Sequence, residues 1–263
     1  MIDGLGANAR SPVRKLTRRG ALLLALAGIA EVAEYVYTRE HREQGHQVPK
    51  FAPVFIRPSQ VLDLRFWKIN LPAGNQEVTQ PHLAGYYGDA FKVVPTVQFT
   101  AWCGGQAQPG SKYPRSELRE MNPDGSAASW SPASGIHVMD LTQRITHLPV
   151  VKPQLICAQV HNEADYLILV ELDAQKLYVR YKDAVAGVLD SNYQLGSYFD
   201  MKIQASQGHV DVFYNGVHKV RQPMKAAGCY FKAGCYVQSN TSTGDLPTAF
   251  GQVEISRLEI SHS

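Results

Sequence analysis

Arginine and glutamate alternate in the stretch RSELRE, where Arg115, Glu117 and Arg119 occupy every second position. Because successive side chains of a strand point to opposite faces, an extended RSELRE presents these three groups on one face. Two guanidinium groups beside a carboxylate can act as an anion clamp, since arginine binds carboxylates through two parallel hydrogen bonds. The alternative is a solvated strand face that carries an internal ladder of ion pairs.

A second polar row lies in LICAQVHNE, where Gln159 and His161 share one strand face and Ala158 and Val160 share the other. Amide and imidazole groups can hold a carboxylate and move protons beside it. A single histidine on a strand is more often structural than catalytic, so this row indicates a functional site only in combination with the other rows.

The stretch YFKAGCYVQSN supplies a third row. Tyr230, Lys232, Tyr236 and Gln238 fall on one face together with Gly234, while an apolar set faces the other way. Tyr236 can give or take a proton, Lys232 can contact an anion, and Gly234 can let a ligand approach the backbone closely. A tyrosine on a strand is more often a packing residue, which is the alternative for this row.

Together the three rows combine arginine, glutamine, histidine, tyrosine and lysine, a set that suits binding a carboxylate and moving protons next to it. Glycoside hydrolysis normally needs two carboxyl groups across the scissile bond. Glu117 is the only acid in the rows, and it lies between arginines. The chain shows neither a nucleophile elbow nor a phosphate-binding loop, so proton transfer on a carboxylate-bearing ligand is the favoured chemistry.

Short alternating runs separated by turn residues are the elements that must position these rows. RFWKINLP and GQVEISRLEIS read as single strands, and YLILVELDAQKLYVRYKD reads as a hairpin that turns at 173–175. Residues 201–220 read as three strands that turn at Gln207-Gly208 and Asn215-Gly216. No segment after residue 50 keeps a helical period. The pattern predicts an all-β fold: an antiparallel β-sandwich of the jelly-roll kind with about 12 or more strands and a concave groove.

The N-terminal residues read as an export signal. RKLTRRGALLLALAGIA places Arg18 and Arg19 before an apolar run of about ten residues, which is shorter than the roughly 20 that span a bilayer. We predict an export signal of the twin-arginine type over 1–34, a polar linker over 35–55 and one folded domain over 56–263. The alternatives for the first segment are a disordered basic tail and a signal anchor.

The charge of the chain is concentrated in the first 50 residues. The formal net charge is +3, and these residues hold eight Lys/Arg against five Asp/Glu, so the remainder is neutral. A neutral body carries no global field for nucleic acid or a membrane surface, and an anionic ligand must be attracted by a local basic patch. We therefore expect no nucleic-acid partner and no membrane association of the mature protein.

Four cysteines lie in the body, at Cys103, Cys157, Cys229 and Cys235. An even number of cysteines in an exported chain predicts up to two disulfides, with three connectivities left open. Buried free thiols are the alternative. The spacing contains no C-x-x-C pair, which argues against a zinc site.

Three blocks of the sequence resemble a known family. RSELRE at 115–120, QVH at 159–161 and YFKAGCYVQ at 230–238 are similar, in order, to the three signature blocks of the family 7 polysaccharide lyases, the alginate lyases. FWKINLP at 66–72 resembles the opening strand of that family. The likeness spans roughly residues 60–260 and implies the β-jelly-roll fold that the strand pattern also predicts.

The resemblance implies roles for nine residues. The implied catalytic residues are Arg115, Gln159, His161 and Tyr236. The residues implied to line the substrate groove are Glu117, Arg119, Tyr230, Lys232 and Gln238. Val160 stands where isoleucine is commoner in the second block, a variation linked in the family to preference for mannuronate over guluronate.

The implied reaction is β-elimination in alginate, an anionic polysaccharide. Arg115 and Gln159, with His161, would neutralise the uronate carboxylate. Tyr236 would protonate O4 and, on mannuronate, also remove the C5 proton, whereas His161 would be the base on guluronate. We expect a secreted monomer that needs no metal and no cofactor. The alternatives are a lyase of the same fold that acts on another polyuronate, such as glucuronan, and a non-catalytic carbohydrate-binding module.

Overall fold

Fifteen antiparallel strands in two sheets make up most of the part of the chain that the structure, a computed structural model, describes: residues 56–73 and 76–263. The predicted export signal (1–34) and the predicted linker (35–55) lie outside these residues. Within the same ranges, no helix has the length and the apolar character needed to cross a membrane.

Eight strands form the first sheet. In chain order they are β1 (Trp67–Asn70), β2 (Glu77–Val78), β5 (Arg115–Glu120), β7 (Gln154–His161), β8 (Tyr166–Asp173), β9 (Lys176–Tyr181), β10 (Ala184–Asp190) and β14 (Tyr230–Val237). Their order across the sheet is β10-β9-β8-β7-β14-β5-β1-β2. Strand β14, the last of this sheet in chain order, therefore lies between β7 and β5, near the middle of the sheet.

Seven strands form the second sheet. They are β3 (Phe91–Val93), β4 (Val97–Trp102), β6 (Ile136–His147), β11 (Phe199–Ser206), β12 (His209–Tyr214), β13 (Val217–Pro223) and β15 (Phe250–His262). Their order is β13-β12-β11-β6-β15-β4-β3. The only helical elements in the described ranges are α1 (His82–Gly85) and two 3₁₀ turns at Pro58–Gln60 and Thr241–Thr243.

Alternation drives the packing of the two sheets. On β14, Phe231, Ala233, Cys235 and Val237 are fully buried in the core between the sheets. Burial of apolar area contributes roughly 25 cal/mol per Å², so a strand with this pattern is held with its apolar face inward. A shift by one residue would turn that face to solvent, and the register of the sheet is therefore well defined.

The predicted strands and turns are confirmed where hairpins were expected. Asn215 and Gly216 both have positive φ, 48° and 77°, which is the backbone that a two-residue hairpin turn requires. Gln207 and Gly208 adopt the same conformation between β11 and β12. The hairpin of β8 and β9 turns at 174–175, inside the predicted interval.

Gly234 is explained by the protein rather than by a ligand. Its φ is +139°, and a Cβ atom at this position would lie 2.6 Å from the carbonyl oxygen of Ser116 and 2.9 Å from the Cα of Glu117. The need for glycine at this position is thus explained within the protein, and the expected close approach of a sugar is not required for it. Glycine is required because β5 passes too close for a side chain.

The four cysteines are buried free thiols, so the expected disulfides are wrong for this structure. Six residues of extended chain separate Cys229 from Cys235, about 20 Å, whereas disulfide-bonded Cα atoms lie about 4.4–6.8 Å apart. Cys157 instead donates a hydrogen bond to the carbonyl of Val170 at 3.6 Å. Burial raises the pKa of Cys157 to about 12, which keeps it a thiol.

Candidate active site

Strand register brings the three predicted polar rows onto adjacent strands. Lys232 on β14 lies opposite Arg119 on β5 and opposite Gln159 on β7. Tyr236 lies opposite Arg115 on β5. Because the apolar set of each strand faces the core, these polar side chains lie on the outer face of the eight-stranded sheet.

Glu117 is the electrostatic centre of this face. Its carboxylate is completely buried and accepts hydrogen bonds from Lys232 Nζ at 2.6 Å, from Arg115 Nη1 at 3.2 Å and from Gln159 Nε2. Desolvation would raise the pKa of Glu117, but the charges of Lys232 and Arg115 and these hydrogen bonds outweigh it and hold the pKa below its usual value. Glu117 is therefore an anion at neutral pH.

Burial also corrects the expected role of two residues. Glu117 was expected to line the groove, but it has no exposed surface because three donors cover it. Lys232 is 5% exposed, and desolvation lowers its pKa to about 8 although Glu117 opposes the shift. Both residues lie beneath the site surface and hold other side chains in place.

Arg115, Tyr236 and Ser111 form a second group of contacts. The guanidinium carbon of Arg115 lies 3.7 Å from the centroid of the Tyr236 ring. Arg115 Nη2 donates to Ser111 Oγ at 2.6 Å, and Ser111 Oγ lies 2.8 Å from the Tyr236 hydroxyl. Ser111 belongs to the loop between β4 and β5. Its role could not be predicted from the sequence, because a loop residue carries no periodic signal.

His161 has its tautomer fixed by its neighbours. Its Nδ1 contacts the carbonyl oxygen of Asn162, which can only accept, so Nδ1 carries the proton and Nε2 keeps its lone pair. The Tyr230 hydroxyl lies 3.1 Å from the same Nδ1. Desolvation, followed by the charge of Lys232, lowers the pKa of His161, so the imidazole is neutral at neutral pH and can accept a proton.

Arg119 on β5 and Tyr230 on β14 lie on the same face and contact each other. The guanidinium carbon of Arg119 lies 3.9 Å from the centroid of the Tyr230 ring. Arg119 Nη1 also donates to the carbonyl of Glu120 at 2.7 Å. The side chain is thus held flat on the sheet by stacking and by a backbone hydrogen bond.

One cavity of about 380 Å³ is lined by all four predicted catalytic residues, Arg115, Gln159, His161 and Tyr236. Gln238 lines it as well, whereas Glu117, Arg119, Tyr230 and Lys232 do not. Loop residues 110–113 form one side of the cavity. The opposite side is formed by residues that the sequence analysis did not predict: Asp165, Tyr166, Leu169 and Arg180.

The lining favours an anionic ligand. Lys112, Arg115 and Arg180 are its cations, and Asp165 is its one carboxylate among the described residues. A guanidinium, an amide, a neutral imidazole and a phenol meet in this cavity, and these groups can neutralise a carboxylate and transfer a proton beside it. The arrangement therefore suits a ligand that carries a carboxylate, bound on one sheet face of the sandwich.

Comparisons with known proteins agree with this class. The model of a family described as alginate lyase matches residues 62–262. The chain is 45% identical to the alginate lyase AlgAT5 of polysaccharide lyase family 7, with a TM-score of 0.77 over 79% of this chain and 99% of that one. It is 38% identical to an alginate lyase from Corynebacterium sp., with a TM-score of 0.76 over 80% and 99%. No curated protein matches the chain.

The protein therefore belongs to the alginate lyase family of polysaccharide lyases. The predicted fold is confirmed, because the two antiparallel sheets match the jelly roll of these solved structures. A third solved structure is 29% identical, with a TM-score of 0.68 over 79% of this chain and 97% of that one. It is the alginate lyase A1-II' with one histidine and one tyrosine replaced, in complex with a substrate written GGMG.

Proposed function

We propose that this protein depolymerises alginate by β-elimination in the cavity on the eight-stranded sheet. The observation that carries the proposal is the meeting of Arg115, Gln159, His161 and Tyr236 around one cavity. Glu117 holds the first two of these through direct hydrogen bonds. The solved complex of the A1-II' variant supports the substrate class, because that relative binds a substrate oligosaccharide.

The first task in the proposed reaction is to neutralise the carboxylate of the reacting uronate. Arg115 supplies the charge, and its Nε is buried without a hydrogen-bond partner. Gln159 gives one N–H to Glu117 and keeps a second for the substrate. Hydrogen bonds to this carboxylate strengthen as charge develops on it after loss of the C5 proton, so they stabilise the transition state more than the bound substrate.

Proton removal and leaving-group protonation are assigned to His161 and Tyr236. On guluronate, the lone pair of His161 Nε2 takes the C5 proton and the Tyr236 hydroxyl protonates O4. On mannuronate, Tyr236 serves both steps, because the proton and the leaving group lie on the same face of the sugar. The C5–H and C4–O4 bonds break, a C4–C5 double bond forms, and O4 leaves with a proton. Each positioned proton transfer contributes roughly 10²–10⁴-fold.

A preference for mannuronate-rich blocks is part of the proposal, based on Val160. This side chain is fully buried in the core, so it does not touch the sugar. Its effect would act through the placement of its neighbours Gln159 and His161 on β7. Initial rates on the two pure block types test this point, and equal or reversed rates would overturn the preference while leaving the lyase proposal intact.

The decisive experiment follows the ultraviolet absorbance of the C4–C5 double bond while the full-length protein acts on alginate, with and without a metal chelator. We expect unsaturated oligosaccharides at equal rates in both cases. New reducing ends without absorbance would mean hydrolysis. Tight binding without cleavage would make the protein a binding module, and cleavage of glucuronan alone would move the substrate to another polyuronate.

Export completes the proposal, because alginate is an extracellular polymer. Arg18 and Arg19 precede the apolar run, so replacing both with lysine should trap the protein inside the cell. Immunoblots of cell and medium fractions measure this outcome, and normal secretion of the variant would exclude the twin-arginine route. Size-exclusion chromatography of the secreted protein tests the expected monomer.

A further inference from the structure

Arg180 on β9 has an unusual set of contacts for a half-buried arginine. Its side chain is 29% exposed, and within the described ranges its guanidinium donates no hydrogen bond. Its Nε is buried without a partner, 3.4 Å from Glu171 Oε2, which also lacks a hydrogen-bond partner. Buried donors without acceptors are rare, because each costs free energy unless a partner arrives.

Arg180 lies in the same cavity as the four predicted catalytic residues. Strand register explains its position, since Gln159 on β7 pairs with Leu169 on β8, which pairs with Arg180 on β9. Two strand spacings separate Gln159 from Arg180, about 9–10 Å. Arg180 therefore lies to the β9 side of Gln159, where the next unit of a chain bound across the strands would lie.

The row of directly paired residues that includes Gln159, Leu169 and Arg180 continues on the other side of the site. It crosses six adjacent strands and carries, in order, Lys68, Arg119, Lys232, Gln159, Leu169 and Arg180. Cationic groups thus stand at both ends of the row. Lys68 is already paired with Glu77 at 2.7 Å, which leaves Arg180 as the end with free donors.

Glu171 lies beneath Arg180 as Glu117 lies beneath Arg115, but only Arg115 donates a hydrogen bond to its glutamate. Each is a buried glutamate beneath an arginine that lines the cavity, with nitrogen–oxygen distances of 3.4 Å and 3.2 Å. The Tyr166 ring flanks the Arg180 guanidinium at 5.5 Å. Asp165 is the one carboxylate in the described lining, and it accepts the backbone N–H of Tyr166 at 2.7 Å.

We propose that Arg180 binds the carboxylate of a uronate unit neighbouring the one that reacts, which makes it a second anion subsite on β9. The inference rests on the proposed function, because it takes the ligand to be a polyuronate. The planar guanidinium matches a carboxylate through two parallel hydrogen bonds. The Arg180 side chain is partly exposed in the cavity and makes no hydrogen bond to the described protein, so it can take a ligand carboxylate there.

Arg180→Ala tests the subsite, with Arg221→Ala as the matched control. Arg221 lies on β13 of the other sheet and is 53% exposed, so its loss removes the same charge away from the cavity. We expect Arg180→Ala to raise KM on long oligouronates about tenfold, with kcat nearly unchanged. For the shortest oligomer that is still cleaved, Arg180→Ala should raise KM much less. Arg180→Lys should restore KM only in part, because the lysine ammonium is a point charge without the paired N–H groups of a guanidinium.

Two results separate this inference from the proposed function. If the parental protein cleaves alginate and Arg180→Ala matches it in KM at every chain length, the subsite is wrong and the lyase proposal stands. If the parental protein does not cleave alginate, calorimetric titration with a tetrauronate still decides the point. Weaker binding by Arg180→Ala than by Arg221→Ala supports the subsite, and equal binding overturns it. Thermal melting of both variants confirms that they are folded.

Discussion

Glu117 and Glu171 are both buried in the eight-stranded sheet, but they differ in their hydrogen-bond donors and in the direction of their pKa shifts. Glu117 receives hydrogen bonds from three side chains, and its pKa is held below the usual value. Glu171 faces Arg180 at 3.4 Å, and desolvation raises its pKa although Arg180 opposes the shift. The donors around a buried carboxylate decide the direction of its pKa shift: three side chains outweigh desolvation at Glu117, whereas Arg180 offsets it only in part at Glu171. The first region can therefore hold a rigid set of cations for chemistry, whereas the second leaves an arginine free for binding.

The largest effect is expected from Glu117→Gln. The substitution keeps the size of the side chain but leaves Lys232 and Arg115 buried without a counter-ion, which should lower the free energy of unfolding by about 3 kcal/mol at neutral pH. Turnover should fall at least about 10²-fold, because Arg115 loses its support. Chemical denaturation and the ultraviolet assay measure the two quantities.

Glu254→Gln is the control for this prediction. Glu254 is buried on the other sheet and pairs with Arg144 at 2.7 Å, so its loss should reduce stability without a comparable loss of turnover. The stability that Glu117 provides is present above the ordinary glutamate pKa of about 4.3 and is lost as pH falls through its lowered value. A Glu117→Gln protein as stable and active as the parent would show that Glu117 does not hold the cations of this region in place.

Tyr236→Phe comes next, and it separates chemistry from positioning in the Glu117 region. The ring should keep its stacking on Arg115, while the hydroxyl that transfers protons is lost. We expect turnover to fall at least about 10²-fold, with oligosaccharide affinity within a few-fold of the parent. Tyr166→Phe is the matched control, since Tyr166 lines the same cavity but donates its hydroxyl to the carbonyl of Lys182. Near-parental turnover by Tyr236→Phe would remove this tyrosine from the mechanism.

Alternation was enough to predict the strands and the polar rows, because the period of two is a local property of the chain. RSELRE and YFKAGCYVQ each read correctly as a strand with one polar face. Their adjacency depends on the order β7-β14-β5, which joins strands far apart in sequence. Alternation within a single strand carries no information about that order.

Depth and loop contacts could not be predicted from the same pattern. Alternation assigns Glu117 to the outer face but says nothing about how many donors cover it. Arg180 in KLYVRYKD reads like any solvated strand position, and its place in the cavity follows from the pairing of β7, β8 and β9. Ser111 lies in a loop, and its contacts with Arg115 and Tyr236 arise from tertiary packing alone.

Ser111→Ala is expected to have an intermediate effect. Ser111 bridges Arg115 and the Tyr236 hydroxyl at 2.6 and 2.8 Å, so its loss should let both side chains move from their positions. We expect kcat to fall about tenfold with little change in KM or in melting temperature. Ser111→Thr keeps the hydroxyl and should restore most of kcat, which a purely structural role of the loop would not predict. Equal kcat values for the parent and Ser111→Ala would exclude a positioning role.

The smallest effect is expected from Glu171→Gln, which tests directly whether the Glu171 region differs from the Glu117 region. A carboxyl group whose pKa is raised by folding contributes stability that is fully present below the ordinary glutamate pKa of about 4.3 and is lost as pH rises through the raised value. At pH 7 the parental protein has lost this contribution, whereas glutamine keeps the uncharged form at every pH. Glu171→Gln should therefore be equal to the parent or more stable by up to about 1 kcal/mol at pH 7, and the difference should shrink as pH falls towards 4. Turnover should stay within a few-fold, because no predicted catalytic residue contacts Glu171. Denaturation midpoints at several pH values measure the trend, and a loss of stability at pH 7 as large as that of Glu117→Gln would mean that Arg180 is fully paired and that the two regions are alike.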